Sequence, residues 1–573
     1  MTGSLVRVLG ARGSRTSVIG AGVANEVPAS AGAVLTAIPR WWHGRAAAAG
    51  LTGRWLDIGH AVAAPMPPIA DAEPSSAVEV GMTGEQLGSA YVSALDSRVR
   101  ARHGRHYTPS DLAAQLWAMT RRGLGRTMAP RRLTGIVRDP ACGAGALLLP
   151  VIREHLAAVR RADPQITLAH LPSVIEGIDM DPAAVWLTNV VLAAEALPVL
   201  VEVPEARRRP LPVLATVGDG LSPGLALASA VIMNPPYGRV RLDPAERQRF
   251  APFVYGHANL YGLFLAAGLE SLDEDGVLSA LVPTSFTAGR YFSNLRQALA
   301  VAAPLRELTF VADRGGVFSG VLQETCLATF TRTKPRKTRI SSTNGHLTPV
   351  ADVISPRSTG PWLLPRRPDD AHVAAAAGAM PLTLAGAGWR VTTGPLVWNR
   401  RRSDLHTQPG PDRFPVLWAA DIDGGRLHRD PARDLLRYLQ TRTEADRRVN
   451  TLREPAIVVQ RTTAPEQIRR IVAVELTPDD LTEWGGAVVV ENHVNVLRST
   501  CATPALSRTT LARVLATPTM DRLMRCLAGS VAVSAYELES LPLPGPGVLG
   551  GWEHLVGDDL NAAVSAAYQP GAV

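Results

Sequence analysis

Lysine is nearly absent from this chain: among 59 lysine and arginine residues only Lys334 and Lys337 are lysines. A PD-(D/E)xK nuclease places an acid two residues before its lysine, and Arg332 and Pro335 stand at that distance here, so the chain carries no such site. Cysteine is scarce too. Cys142, Cys326, Cys501 and Cys526 have no CxxC or CxxH spacing, which excludes the usual zinc-ligand patterns and a disulfide framework and implies reduced thiols; no metal is expected. No run of eighteen or more apolar residues stands out as a bilayer span, so no membrane partner is expected. The N-terminal stretch has arginines and small residues but no compact apolar segment followed by a cleavage site, which argues against a signal peptide. The expected compartment is the cytoplasm.

What is present is arginine. The formal net charge is +8, and guanidinium forks pair with phosphates and guanine edges, so a polyanion is the expected partner; a GC-rich genome also favours arginine over lysine, so the net charge is the better clue. With 573 residues there is room for two or three domains. Residues 1–82 are rich in Ala, Gly and Pro and read as an N-terminal extension, partly disordered and without assignable chemistry. Residues 83–333 read as one α/β domain, 334–360 as a polar, basic linker, and 361–573 as an irregular, arginine-rich mixed α+β domain with exposed-looking Trp389, Trp398 and Trp418.

Within 83–333, functional-looking residues recur where strands end. Tyr107 and Thr108 sit on a loop before a helix opened by Pro109 and Ser110. The strand at 136–137 runs into Asp139-Pro140-Ala141-Cys142-Gly143-Ala144-Gly145, where glycines allow a tight turn and close approach to a ligand, and then into an apolar helix. A second strand ends at Asp179, placed to hold a ribose diol, and a third, 214–217, leads to Asp219, placed to accept from an exocyclic amine. The fourth, Ala230-Val231-Ile232-Met233, runs into Asn234-Pro235-Pro236-Tyr237. Proline fixes φ near −65° and removes its own donor, leaving the Asn234 and Pro235 carbonyls free to accept; the Asn234 side-chain oxygen adds another acceptor and Tyr237 a stacking face. That combination suits a planar amine, although an Asn-Pro turn by itself is common. Alternating strands and helices with such residues at the strand ends describe a Rossmann-like, mainly parallel sheet with helices on both faces, binding a nucleoside-like cofactor along one edge. In the C-terminal part, Arg461, Thr462, Thr463, Arg469 and Arg470 crowd guanidinium and hydroxyl groups into one segment suited to DNA contacts, or equally to a solvated face.

Taken in order, Tyr107-Thr108-Pro109, the 139–145 loop, Asp179, Asp219 and Asn234-Pro235-Pro236-Tyr237 resemble the motifs of N6-adenine DNA methyltransferases of the gamma group, the TaqI/Eco57I-like type II restriction-modification methylases. The resemblance covers 83–333 well and reaches the C-terminus more loosely, through 490–495 and 529–533. It implies an S-adenosylmethionine-dependent methyltransferase fold followed by a C-terminal DNA-recognition domain. It implies that Thr108, Asp139, Gly143 and Gly145, with Tyr107 and Ala141 beside them, hold the methionine end of S-adenosylmethionine, Asp179 the ribose and Asp219 the adenine amine. Asn234 and Pro235 would accept the amino hydrogens of a flipped-out target adenine, with Pro236 shaping the turn and Tyr237 stacking on the base. Phe318 is a candidate for the other face of the base, or an ordinary core residue. Two positions depart from the family: Ala144 replaces a frequent Ser, and Gly220 a residue that is often apolar or aromatic, which implies weaker cofactor binding. The implied activity is site-specific adenine methylation of double-stranded DNA, with a separate cognate restriction endonuclease as genetic partner. The rival is methylation of an RNA base or a protein glutamine, since the same tetrapeptide serves those acceptors.

Overall fold

The computed structural model describes residues 28–68, 72–96, 100, 106–126, 130–312, 324–463, 467–527 and 532–569. These fall into two compact units, the first drawn from 1–113, 128–251 and 257–271, the second from 114–127, 252–256 and 272–573.

The first unit opens with α1 (Ala29–Ala48), which buries Val34, Leu35, Ile38, Trp41 and Trp42. It packs on α2 (Gly84–Ala94), whose start is fixed by reciprocal Thr83 and Gln86 hydrogen bonds of 2.8 and 3.3 Å. Trp41 Nε1 donates to the Met82 carbonyl at 3.0 Å and Trp42 Nε1 to that of Trp55 at 3.4 Å. Burying an indole removes roughly 150–250 Å² from water, about 4–6 kcal/mol of transfer free energy. The described part of the expected N-terminal extension is therefore packed core. Its Ala- and Gly-rich composition resembles a linker, but Trp41, Trp42 and Trp55 supply a hydrophobic anchor.

Helix α3 (Ser110–Gly123) falls mostly within the second unit; the first continues with β1 (Val137–Asp139), α4 (Leu148–Ala158), β2 (Ile175–Asp179), α5 (Pro182–Glu202), β3 (Ala215–Val217) and β4 (Ala228–Met233). The strands pair in parallel in the order β4-β1-β2-β3. The chain thus steps from β1 outward to β3 and returns to the other side of β1, so the order reverses between β1 and β4. The crevice beyond the C-terminal ends of such a reversal is where open α/β sheets bind ligands. Helix α6 (Leu260–Glu270), buried along most of its length, completes the unit.

Among the described residues, α5 is the one helix that meets the length and composition of a bilayer span, although Thr188, Asn189 and Glu195 interrupt its apolar run. Its 21 residues are long and apolar enough, but 78% of its most apolar stretch is buried, because the helix is the core of this unit. Its buried Asn189 accepts from Leu214 N at 2.7 Å and Ala215 N at 3.0 Å and donates to the Ala215 carbonyl at 2.8 Å, fixing the entry to β3.

In the second unit, β5 (Leu272–Pro283), α7 (Ser293–Ala302), β6 (Leu305–Val311), β7 (Thr325–Thr331), β8 (Lys337–Thr343) and β9 (Leu347–Ile354) give strands in the order β9-β8-β6-β7-β5, antiparallel except for the β8–β6 pair. The linker expected at 334–360 is therefore largely a hairpin of this sheet. Its Ser and Thr content reads as loop, but Thr338, Ile340 and Thr343 are buried, and the Thr338 hydroxyl donates to the Leu305 carbonyl at 2.6 Å.

Further on, β10 (Trp389–Thr393), β11 (Arg413–Leu417), β12 (Tyr438–Gln440), β13 (Ala456–Gln460), β14 (Ala473–Leu476), β15 (Val488–Val490) and β16 (Val494–Ser499) form two sheets. One is antiparallel in the order β10-β16-β13-β14; the other contains β12, β11 and β15. The helices Arg508–Leu515 and Pro518–Leu527 close a core with Ile457, Leu497, Leu511 and Leu523. Trp389 and Trp418, expected to be exposed, are buried at 2% and 3%, each filling a core; only Trp398 is partly accessible.

Candidate active site

The site lies in the first unit, at the reversal between β1 and β4. Asp139 ends β1, is 1% exposed, and accepts from Ala141 N at 3.1 Å. Burial pushes its carboxyl up to about 8; the Ala141 N–H partly opposes this and the charge of Asp179 adds to it. The loop then turns through Gly143 and Gly145, at φ +49° and +83°, a region that suits glycine. A Cβ on Gly145 would also stand 3.2 Å from Thr188 of α5, whereas one on Gly143 would meet nothing within 4 Å, so open space faces Gly143.

Asp179 organises the neighbouring turn. One of its oxygens accepts from Gly143 N at 2.9 Å and the other from Asp181 N at 2.9 Å, which ties the end of β2 to the β1 loop. Thr188 secures the same loop by donating to the Gly143 carbonyl at 2.6 Å. Asp181 caps α5 through Ala183 N at 3.0 Å and accepts from the Tyr91 hydroxyl at 3.0 Å. After β3, Asp219 accepts from Leu221 N at 2.9 Å. The departure at Gly220 has a local cause: any Cβ there would lie 1.9 Å from the Pro140 carbonyl oxygen.

Asn234 leaves the buried end of β4. Its Nδ2 donates to Thr108 Oγ1 at 3.0 Å, and its Oδ1 accepts from the Tyr237 hydroxyl at 3.2 Å. The amide is thus oriented from both sides, with a lone pair of Oδ1 still available. Pro235 is buried behind it, and the Tyr237 ring meets Tyr261 edge-on at 6.0 Å. Tyr107 lies against α2 where Gly88 has no side chain; a Cβ at 88 would be 2.6 Å from its ring. The Tyr107 hydroxyl is buried and meets no partner among the described residues, and burial holds the phenol well above its ordinary range.

Tyr107, Thr108, Asp139, Ala141, Gly143, Asp179, Asp219, Asn234 and Pro236 all line one cleft. The side chains of Pro235 and Tyr237, and Gly145, are not part of its lining and shape it through the loop and amide geometry just described. The lining also includes Tyr91, His106, Leu260 and Phe264, which the sequence did not single out. The acidic cap linking Tyr91 to Asp181 becomes visible only in three dimensions; Leu260 and Phe264 sit in an apolar helix that offers no distinguishing signal. Phe318 lies outside the described residues.

In the second unit, the segment proposed for DNA contact separates into two groups. Thr463 and Arg470 are fully buried: the Thr463 hydroxyl donates to the Arg470 carbonyl at 2.9 Å, and the Arg470 backbone N–H bonds Asp521. Both are internal to the fold, which corrects their assignment as DNA contacts. Thr462 and Arg469 are exposed and Arg461 is partly so.

Residues 229–318 match the family described as Eco57I restriction-modification methylase. The chain is 24% identical over 331 residues to the type II methyltransferase M.BsuBI of Bacillus subtilis, covering 56% of this chain and 65% of that one. It is also 24% identical over 329 residues to the type II methyltransferase M.PstI of Providencia stuartii, covering 55% and 64%. The chain thus spans just under two thirds of these relatives' lengths. Among solved structures, it is similar to the type IIL restriction-modification enzyme MmeI in complex with DNA, with a TM-score of 0.49, 11% identity, and coverage of 86% of this chain and 77% of that one.

Proposed function

We propose that this chain, whose residues 229–318 match the Eco57I restriction-modification methylase family, is a site-specific DNA methyltransferase that modifies N6 of a flipped-out adenine. The observation that carries the proposal is the Asn234 amide, held by Thr108 at the mouth of β4 in the same cleft as Asp139, Asp179 and Asp219.

The cleft residues fit S-adenosylmethionine. A fully buried acid with no cationic partner and a buried phenol with an unmet hydrogen bond, both judged among the described residues, together with open space at Gly143, suit a ligand carrying positive charge and polar groups at that end. Tyr107, Thr108, Asp139 and the 141–145 backbone would hold its methionine end, Asp179 its ribose and Asp219 its adenine amine. When bound, this cofactor supplies an electrophilic methyl group on a sulfonium.

The protein's own contribution is positioning. Oδ1 of Asn234 and the Pro235 carbonyl accept the two hydrogens of the target amine and leave its lone pair facing the cofactor. Because these acceptors grip more tightly as the nitrogen becomes positive, they favour the transition state over the ground state. An adenine must leave the duplex to reach them. The shed proton needs no base before attack, so orientation carries most of the rate. We place the enzyme in the cytoplasm as the modification partner of a separate restriction endonuclease or in a related defence system.

The test is incubation of the purified chain with methyl-labelled cofactor and, separately, DNA, RNA and protein, followed by digestion of the labelled product. N6-methyladenine in DNA is the expected product. Label retained only by RNA or protein, or on another base, would overturn the proposal.

A further inference from the structure

Three stretches that the cofactor cleft does not use meet at one place in the second unit. The turn between β15 and β16 is closed by Val494 N donating to the Glu491 carbonyl at 3.0 Å. It is held on one side by Asn492 N to the Leu396 carbonyl at 3.0 Å and by Gly394 N to the Val494 carbonyl at 2.8 Å. Gly394 permits this approach, since a Cβ there would stand 2.2 Å from the Glu491 oxygen. On the other side, Arg461 donates its backbone N–H to the His493 carbonyl at 2.7 Å and Nη1 to the Asn492 carbonyl at 3.1 Å. Val533 closes the third side, donating to the Arg461 carbonyl at 2.7 Å and accepting from Asn495 Nδ2 at 2.9 Å.

Inside this frame Glu491 is 1% exposed. Its two oxygens accept from the backbone N–H of His493 at 2.9 Å and from His493 Nδ1 at 2.8 Å. The His493 side chain itself is 49% exposed. A buried carboxylate is costly unless its acceptors are filled, and both are filled here by one surface residue. Its effect is to fix the imidazole with Nδ1–H inward and Nε2 outward. Among the described residues no protein group meets Nε2. Next to His493 in the frame, Arg461 is partly exposed and Thr462 is exposed, while Arg461 Nε and Asn492 Oδ1 are buried and meet no partner among the described residues.

On the DNA-methylation reading proposed above, we infer that His493, with Arg461 and Thr462, contacts base edges of duplex DNA and sets part of the methylated sequence. The groups are hydrogen-bonding and cationic, which matches the donor and acceptor pattern of the major groove. His493 stands on a turn braced from three sides, one of them by the segment that carries Arg461 and Thr462, so little freedom is lost on binding. Glu491 is a positioning residue that acts through the ring.

The experiment compares the full-length parent with His493→Ala and His493→Gln. Methylated positions are mapped by long-read sequencing of plasmid DNA, and KM and kcat are measured on a duplex carrying the parent's site. His493→Ala is expected to bind S-adenosylmethionine and melt as the parent does, to relax sequence preference at one or more positions, and to raise KM for the duplex about tenfold, with kcat within about twofold. His493→Gln, which retains a polar group near Nε2, is expected to recover part of the preference. A variant with the parent's site pattern and KM, or one weakened equally on every sequence, would overturn the inference and leave the methyltransferase proposal standing. A parent chain that methylates no DNA would overturn both.

Discussion

The Asn234 side-chain amide donates to the Thr108 hydroxyl at 3.0 Å, joining two residues 126 positions apart. Removing the acceptor leaves the amide held on one side only, by the Tyr237 hydroxyl. Thr108→Val is expected to slow single-turnover methylation by about two- to tenfold, the range for one neutral hydrogen bond of roughly 0.5–1.5 kcal/mol, while Thr108→Ser restores it. Equal rates in Thr108→Val and the parent would show that the contact does not orient the amide.

Asp139 gives the cleft a pH signature. Its carboxyl is raised from 3.8 to about 8, so the folded protein keeps a proton there that the unfolded chain releases above about pH 4. This contribution to stability is full below pH 4 and is lost as pH rises to 8. A cationic ligand favours the ionised form, so cofactor binding at pH 7 is expected to release a proton. Calorimetry in two buffers of different ionisation enthalpy reads that release directly. It should vanish in Asp139→Asn; its persistence there would assign the proton to another group.

The packed N-terminal helix predicts an effect on stability. Trp42→Ala is expected to destabilise the protein by about 3–5 kcal/mol, as for other buried aromatic truncations, and denaturant unfolding measures it. A loss below about 1 kcal/mol would restore the reading of this region as a dispensable extension.

The parts of the site that were legible in the sequence are those where backbone chemistry dictates residue type. Gly143 and Gly145 mark positive φ, Asp179 marks a strand end, and Asn234 with two prolines marks a strand exit with free acceptors. The first unit's parallel sheet followed from the same strand-and-turn spacing. What stayed hidden depended on partners distant in sequence. Arg470 looks like a surface cation until Asp521, some fifty positions on, takes its backbone N–H. Thr338 looks like a loop residue until Leu305 accepts its hydroxyl. Trp41 and Trp42 sit in a composition typical of linkers, and their burial is decided by α2 and Trp55. Polar or small residues serve equally in loops and in well-satisfied cores, and local pattern cannot separate the two.

Single-turnover methylation by Asn234→Ala, at saturating cofactor and DNA, tests the central claim most directly. The substitution removes an acceptor aimed at the target amine and leaves the Asp139 and Asp179 loops intact. The rate is expected to fall by about 10²–10³, the usual effect of losing one preorganised transition-state contact, with cofactor and DNA affinities little changed. A near-normal rate with both ligands saturating would contradict the account and reduce the tetrapeptide after β4 to a structural turn.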